Sequence, residues 1–155
     1  MSGSAMSELV LFIASIMVAG VVAGGLYAVT QDISSGISTQ GNSLAQSLKT
    51  NFVIINDPDE IPLNSTSQSY IFYVRNIGEV SFPWENSSVV VMIDGNIVPP
   101  ANLTFININN PSIKILRPYD VGAVEVPTAF VSSGYHKLTI VLSNGEKRSL
   151  KFYVG

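Results

Sequence analysis

Leu9 to Val29 reads LVLFIASIMVAGVVAGGLYAV, 21 residues without a charge. Its only polar side chains are the hydroxyls of Ser15 and Tyr27. About 20 helical residues cross a bilayer core, so this stretch is long enough to span a membrane. Glu8 bounds it on one side, Gln31 and Asp32 on the other. A cleaved secretory signal needs a basic leading region and an apolar core of roughly 7–15 residues. Residues 1–8, MSGSAMSE, carry no Lys or Arg, and this core is longer. The expectation is a retained transmembrane helix over 9–29 behind a short head, 1–8. So short a head holds no domain, so the bulk of the chain belongs on one side of the membrane. No Lys or Arg lies close to either flank, so the positive-inside rule does not orient the span. Three sequons, at Asn64, Asn86 and Asn102, point to an extracytoplasmic domain and are candidate glycosylation sites; Asn110-Pro-Ser is excluded by its proline.

The span accounts for the unusual composition. Charged residues are 12% of the 155, against about 25% in ordinary domains, and mean hydropathy is +0.35. All eight Lys and Arg lie at or after Lys49, as do nine of the eleven acids. The net charge of -3 leaves no basic footprint for nucleic acid. Without Cys there are neither disulfides nor thiolate metal sites.

Gly20 and Gly24 form a GxxxG, and Ala28 continues that row. Ser15, Ala19 and Ala23 make a second small-residue row beside it. Small side chains let helix backbones approach closely in lipid, so these six residues are the candidate helix association face. Residues 30–50 are polar. Ile33, Ile37, Leu44 and Leu48 give them a sparse apolar stripe at helical period, although Gly36 and Gly41 each cost about 1 kcal/mol relative to Ala. The expectation is a helical stalk or linker.

From Asn51 the pattern changes to short β runs: Phe52–Ile55, Tyr70–Val74, Val89–Ile93, Asn96–Val98, Leu103–Ile108, Ile113–Leu116, Val121–Val126, Leu138–Leu142 and Leu150–Val154. Asp94-Gly95 and Asn144-Gly145 are hairpin signals. Short strands at this spacing predict an all-β, immunoglobulin-like antiparallel sandwich over 51–155.

No catalytic set emerges. Ser133 and His136 are near in sequence, which says nothing of geometry. His136 reads as a solvent-facing strand residue, and one His without Cys is no zinc site. Asp57, Asp59 and Glu60 have calcium-binding oxygens, but Pro58 makes a turn sufficient reason for them. No enzymatic activity, metal or cofactor is expected. Trp84 reads first as a core residue. With so few charges, a protein contact would be apolar. Val121, Ala123 and Val124, with Gly122 allowing close approach, are one candidate self-association surface, and Phe82 and Trp84 a second. Each of these also fits a core.

Ser7-Glu-Leu-Val-Leu-Phe-Ile-Ala14, Ala19-Gly-Val-Val-Ala-Gly-Gly25, Ile33 with Ile37, and Leu48-Lys-Thr-Asn-Phe-Val-Ile-Ile-Asn-Asp-Pro58 resemble the type IV pilin-like proteins of archaea. Within them they resemble the archaellum stator proteins of the FlaG/FlaF family, and Phe72-Tyr-Val-Arg-Asn-Ile-Gly78 extends the likeness. The resemblance implies a single-pass protein of the archaeal cell envelope that anchors the archaellum motor to the S-layer. It implies self-assembly into an oligomer or filament and a FlaF-like partner that makes the S-layer link. Pilins carry a basic residue before their cleavage site. Met1-Ser-Gly3 has none, so the head is expected to stay, although cleavage after Gly3 would place Glu8 fifth. Two alternatives stay open: a polymerising filament subunit, which would want a more continuous apolar helix than Gly36 and Gly41 allow, and a surface module binding sugars or calcium.

Overall fold

The computed structural model describes residues 2–155; Met1 of the head lies outside them. Helix α1 is unbroken over Ser2–Lys49. Ala, Leu, Ile and Met favour it, and no proline interrupts it. Its 48 residues extend about 72 Å. It runs through Gly36 and Gly41, where an added β-carbon would meet nothing within 4 Å. The hydroxyls of Ser15 and Thr30 donate to the carbonyls of Leu11 and Leu26 at 2.8 and 2.7 Å, which satisfies them within the helix. Ile33, Ile37, Leu44 and Leu48 are all exposed. The chain divides into two compact units, one through Leu44 and the other Ala45–Gly155.

The second unit is β. Its strands are β1 Phe52–Ile54, β2 Leu63–Asn64, β3 Ser69–Asn76, β4 Phe82–Pro83, β5 Val89–Ile93, β6 Asn96–Ile97, β7 Thr104–Asn107, β8 Ile115–Leu116, β9 Val121–Pro127, β10 Gly134–Leu142 and β11 Lys147–Val154. One sheet has the order β1-β3-β9-β7 with β2 on β3. The other is β11-β10-β5-β6, and β4 pairs β8. Every pairing is antiparallel. The two larger sheets pack as an immunoglobulin-like sandwich, with Phe72 of β3 meeting Phe152 of β11 edge-on at 5.1 Å. Both are buried, and burying such a side chain contributes about 1.5–3 kcal/mol.

Both hairpin signals form turns, of two kinds. Asp94 and Gly95 take φ of 53° and 84°, as a two-residue primed turn requires. At the other, Gly145 alone has positive φ, 87°. Its N–H donates to the Leu142 carbonyl and Leu142 N–H donates to Glu146, a three-residue loop closed by glycine.

Two glycines make room for packing. A β-carbon on Gly122 would lie 2.5 Å from Trp84 Nε1. Its absence admits the buried indole, which donates to the Ala123 carbonyl at 3.1 Å and meets Phe105 edge-on at 5.1 Å. At Gly78 the obstacle would be the Lys49 carbonyl oxygen. Here Gly78 N–H donates to Asn51 and Glu79 N–H to Lys49, at 3.0 and 2.9 Å. Buried Asn76 completes the junction by donating to Val80 and Leu116 carbonyls at 2.9 and 3.0 Å. These contacts give Phe72–Gly78 a physical role in fixing the start of β1.

Candidate association surfaces

On α1, Ala14, Ser15, Ala19 and Ala23 line a shallow groove walled by Leu11, Val18, Val22 and Leu26. Gly20, Gly24 and Ala28 lie on the adjoining row, exposed. A β-carbon on Gly20 or Gly24 would meet nothing within 4 Å. Close packing inside this chain therefore does not explain either glycine.

In the sandwich the candidate surfaces need correction. Phe82 and Trp84 are core residues, 5% and 1% exposed, and Val124 is fully buried. Gly122 opens space for Trp84 and not for a partner strand. β9 also has no free edge, since β3 and β7 occupy both sides. Only Val121 and Ala123 alternate outward, and Ala123 is 3% exposed. They belong to a broader outer face of the five-stranded sheet. Tyr73, Ala123 and Ile106 stand in register across β3, β9 and β7, and Ile55 continues that row by donating to the Tyr73 carbonyl. Val53, Arg75 and Val121 form the adjacent row, extended by Ile108. Within VGAVEV only Glu125, which shares the parity of Val121 and Ala123, marks the outer face.

The sequons differ in their surroundings. Asn86 and Asn102 are exposed. Asn64 is half-buried, and its Nδ2 donates to Glu125 Oε1 at 3.1 Å.

His136 is the residue that sequence reading placed wrongly. It alternates with Leu138 and Ile140 and points inward, its side chain 10% exposed, beside Phe152 at 5.8 Å. Its Nδ1 lies 2.6 Å from Asp94 Oδ2 and its Nε2 lies 2.8 Å from the Ser132 carbonyl oxygen. Asp94 also accepts from Lys137 N–H at 2.8 Å. Hydrogen bonding to Asp94 raises the pKa of His136 above its ordinary value, and the same bond holds Asp94 low. The nearby hydroxyl is that of Ser132, 3.4 Å from Nε2, not Ser133. When the ring is protonated both nitrogens donate, and His136 then has no lone pair with which to activate it. Asp57 Oδ1 caps Asp59 N–H at 3.0 Å in a turn. Among the described residues no His, Asp and Glu gather in a group able to hold a metal ion.

One long apolar-headed helix joined to an antiparallel sandwich defines a pilin-like architecture. The sequence pattern of archaeal-type flagellin matches residues 2–152, and the chain belongs to that family. It is 37% identical over 154 residues to flagella-related protein G of Methanocaldococcus jannaschii, covering 99% of this chain and 97% of that protein. Its counterpart from Methanococcus voltae is 31% identical over 149 residues, covering 96% of each. Among solved structures, the archaellum periplasmic stator protein FlaG of Sulfolobus acidocaldarius aligns with a TM-score of 0.43 and 22% identity over 66% of this chain and 99% of that one. The complex of FlaF and FlaG from the same organism gives 0.42 and 20% over 65% and 87%.

Proposed function

We propose that this chain is a stator component of the archaellum. In this reading residues 9–29 anchor it in the membrane as a single span, residues 30–50 form the stalk, and the sandwich of residues 51–155 stands outside the cytoplasm. The chain self-associates and acts with a FlaF-like partner that links the motor to the S-layer. The observation that carries the reading is the full-length likeness to flagella-related protein G. The apolar helix, long enough to cross a membrane, and its small-residue face support the anchoring and the association. The outer face of the five-stranded sheet is the proposed second contact. The role is mechanical and not enzymatic: force passes through packed protein surfaces.

A filament subunit is the second reading, and the flagellin family itself favours it. The unbroken α1 removes the objection based on Gly36 and Gly41, although the helix is polar beyond Thr30. Purifying the tagged protein from native envelope separates the two. Motor and S-layer proteins co-purify with a stator. Long extracellular filaments built from this chain alone would reject the stator reading.

A further inference from the structure

The outward face of the β11-β10-β5-β6 sheet carries a ladder of aromatic, cationic and hydroxyl pairs. Outward residues on β10 and β11 pair in register as Tyr135 with Tyr153, Lys137 with Lys151, and Thr139 with Ser149. The tyrosine rings lie 5.0 Å apart, and Tyr135 is 84% exposed. A cross-strand aromatic pair contributes modestly to a sheet, but Tyr135 leaves most of its ring in water. Lys137 faces Lys151 directly, an arrangement that destabilises a sheet. Among the described residues neither lysine forms an ion pair. Lysines on β11 have an ordinary use, because a charged edge strand resists pairing with other chains. That use does not extend to Lys137, which lies on β10 between two strands, or to the tyrosines.

The sign of the charge is set locally. Asp94, Tyr135, His136, Lys137 and Lys151 line one shallow cleft. Asp94 is its only carboxylate, and both its oxygens are engaged, one by His136 and the other by Lys137 N–H. The two lysines are therefore left uncompensated in a chain whose net charge is -3. Along the strands the aromatic, cationic and hydroxyl rows follow one another at about 7 Å. Thr139 and Ser149 complete the ladder, their hydroxyls 2.9 Å apart.

We propose that this face binds a carboxylate-bearing polysaccharide lying along the strands. A sugar ring stacks on the exposed Tyr135 with Tyr153 at its edge, uronate groups pair with Lys137 and Lys151, and the Thr139 and Ser149 hydroxyls meet sugar hydroxyls. Acidic protein is the rival polyanion. The tyrosine rings are tilted at 54°, and Tyr135 offers an exposed aromatic face beside lysines and hydroxyls, a mixture that suits an acidic sugar better than a peptide, whose specificity would demand side-chain pockets. The inference concerns a binding surface and does not depend on the stator role.

The test uses the full chain in detergent, titrated with polygalacturonate, with poly-glutamate and neutral dextran as comparisons. Polygalacturonate should bind, and more weakly as salt rises. Tyr135→Ala and Lys137→Glu should each weaken binding roughly tenfold or more, as loss of an aromatic anchor does at other interfaces. Tyr135 and Lys137 are exposed, so both variants should stay folded, with only the small effect on melting that a cross-strand pair has. Lys114→Glu, away from this face, should bind as the parent does. No binding of polygalacturonate, equal binding of poly-glutamate, or an equal loss in Lys114→Glu would each overturn the proposal.

Discussion

His136 Nδ1 lies 2.6 Å from Asp94 Oδ2, while the opposite nitrogen of the ring lies 2.8 Å from the Ser132 carbonyl oxygen. Two acceptors at the two nitrogens select the imidazolium. The contact ties the β5–β6 turn, through the ring, to Ser132 before β10, while Asp94 and Lys137 join the turn to β10 itself.

Stability should therefore follow pH in a defined window. The folded pKa of His136 is raised by its bond to Asp94, so its contribution is complete below the ordinary value of about 6.5 and is lost as pH rises through the folded value. The folded pKa of Asp94 is lowered, first by the bond to His136 and then by that to Lys137. Its contribution is complete above the ordinary value of about 3.9 and is lost as pH falls through the folded one. The pair stabilises most between those two ordinary values. Melting temperatures of the parent and His136→Gln should differ most near pH 5–6 and converge toward alkaline pH. A difference that stays constant to pH 9 would show that the ring acts by packing alone.

Glycosylation, where the chain meets an oligosaccharyltransferase, should be selective among the three sequons. The amides of Asn86 and Asn102 are exposed and make no hydrogen bond within the described residues. That of Asn64 is half-buried and bonded to Glu125. Peptide mass spectrometry of protein from its native envelope should find glycan on Asn86 and Asn102 and none on Asn64. Glycan on Asn64 alone would reverse the accessibility argument.

The fold was legible wherever one local signal sufficed. The uncharged run from Leu9 marked the helix, and Asp94-Gly95 marked a turn whose positive φ the structure contains. Strands β2 and β4 were not legible: each has two residues and lies beside or contains a proline, so no alternation can show. Which candidate surface residues face out of the sandwich was legible only in part. Val121 and Ala123 do face outward. Phe82, Trp84 and Val124 look no different in sequence, and the room for Trp84 comes from the missing side chain of Gly122, which it meets only after folding. His136 was misplaced for a related reason. Its inward direction follows from its parity with Leu138 and Ile140, and its partner Asp94 lies 42 residues away.

The small-residue face of α1 should matter only between helices. Gly20→Leu with Gly24→Leu removes no contact of this chain and should leave the sandwich's melting unchanged. It should weaken self-association of the span by about 1–2 kcal/mol if the face is used. A membrane dimerisation assay measures this directly. Unchanged association would exclude this row as the contact.

The sandwich should associate through its face, because β9 has no edge to offer. Val121 and Ile106 are half-buried within the chain and stand on neighbouring rows of the outer face. Exposed ion pairs are worth only about 0–1 kcal/mol, so Arg75 cannot dominate such a contact, and burial of Val53, Tyr73, Val121 and Ile106 would supply it. A lysine at position 121 remains free to reach water in the isolated chain, so folding should survive. In an assembled contact the same charge is desolvated without a partner, at a cost of several kcal/mol. The measurement is sedimentation of the full chain in detergent, in the Gly20→Leu and Gly24→Leu background so that the helix does not mask the result. That background should still form oligomers at high concentration, and adding Val121→Lys should reduce them to monomers without a large change in melting. Lys114→Ala, off this face, should leave them intact. A background that is monomeric at millimolar concentration would remove this face as a self-association surface, and so would Val121→Lys oligomers as stable as those of the background.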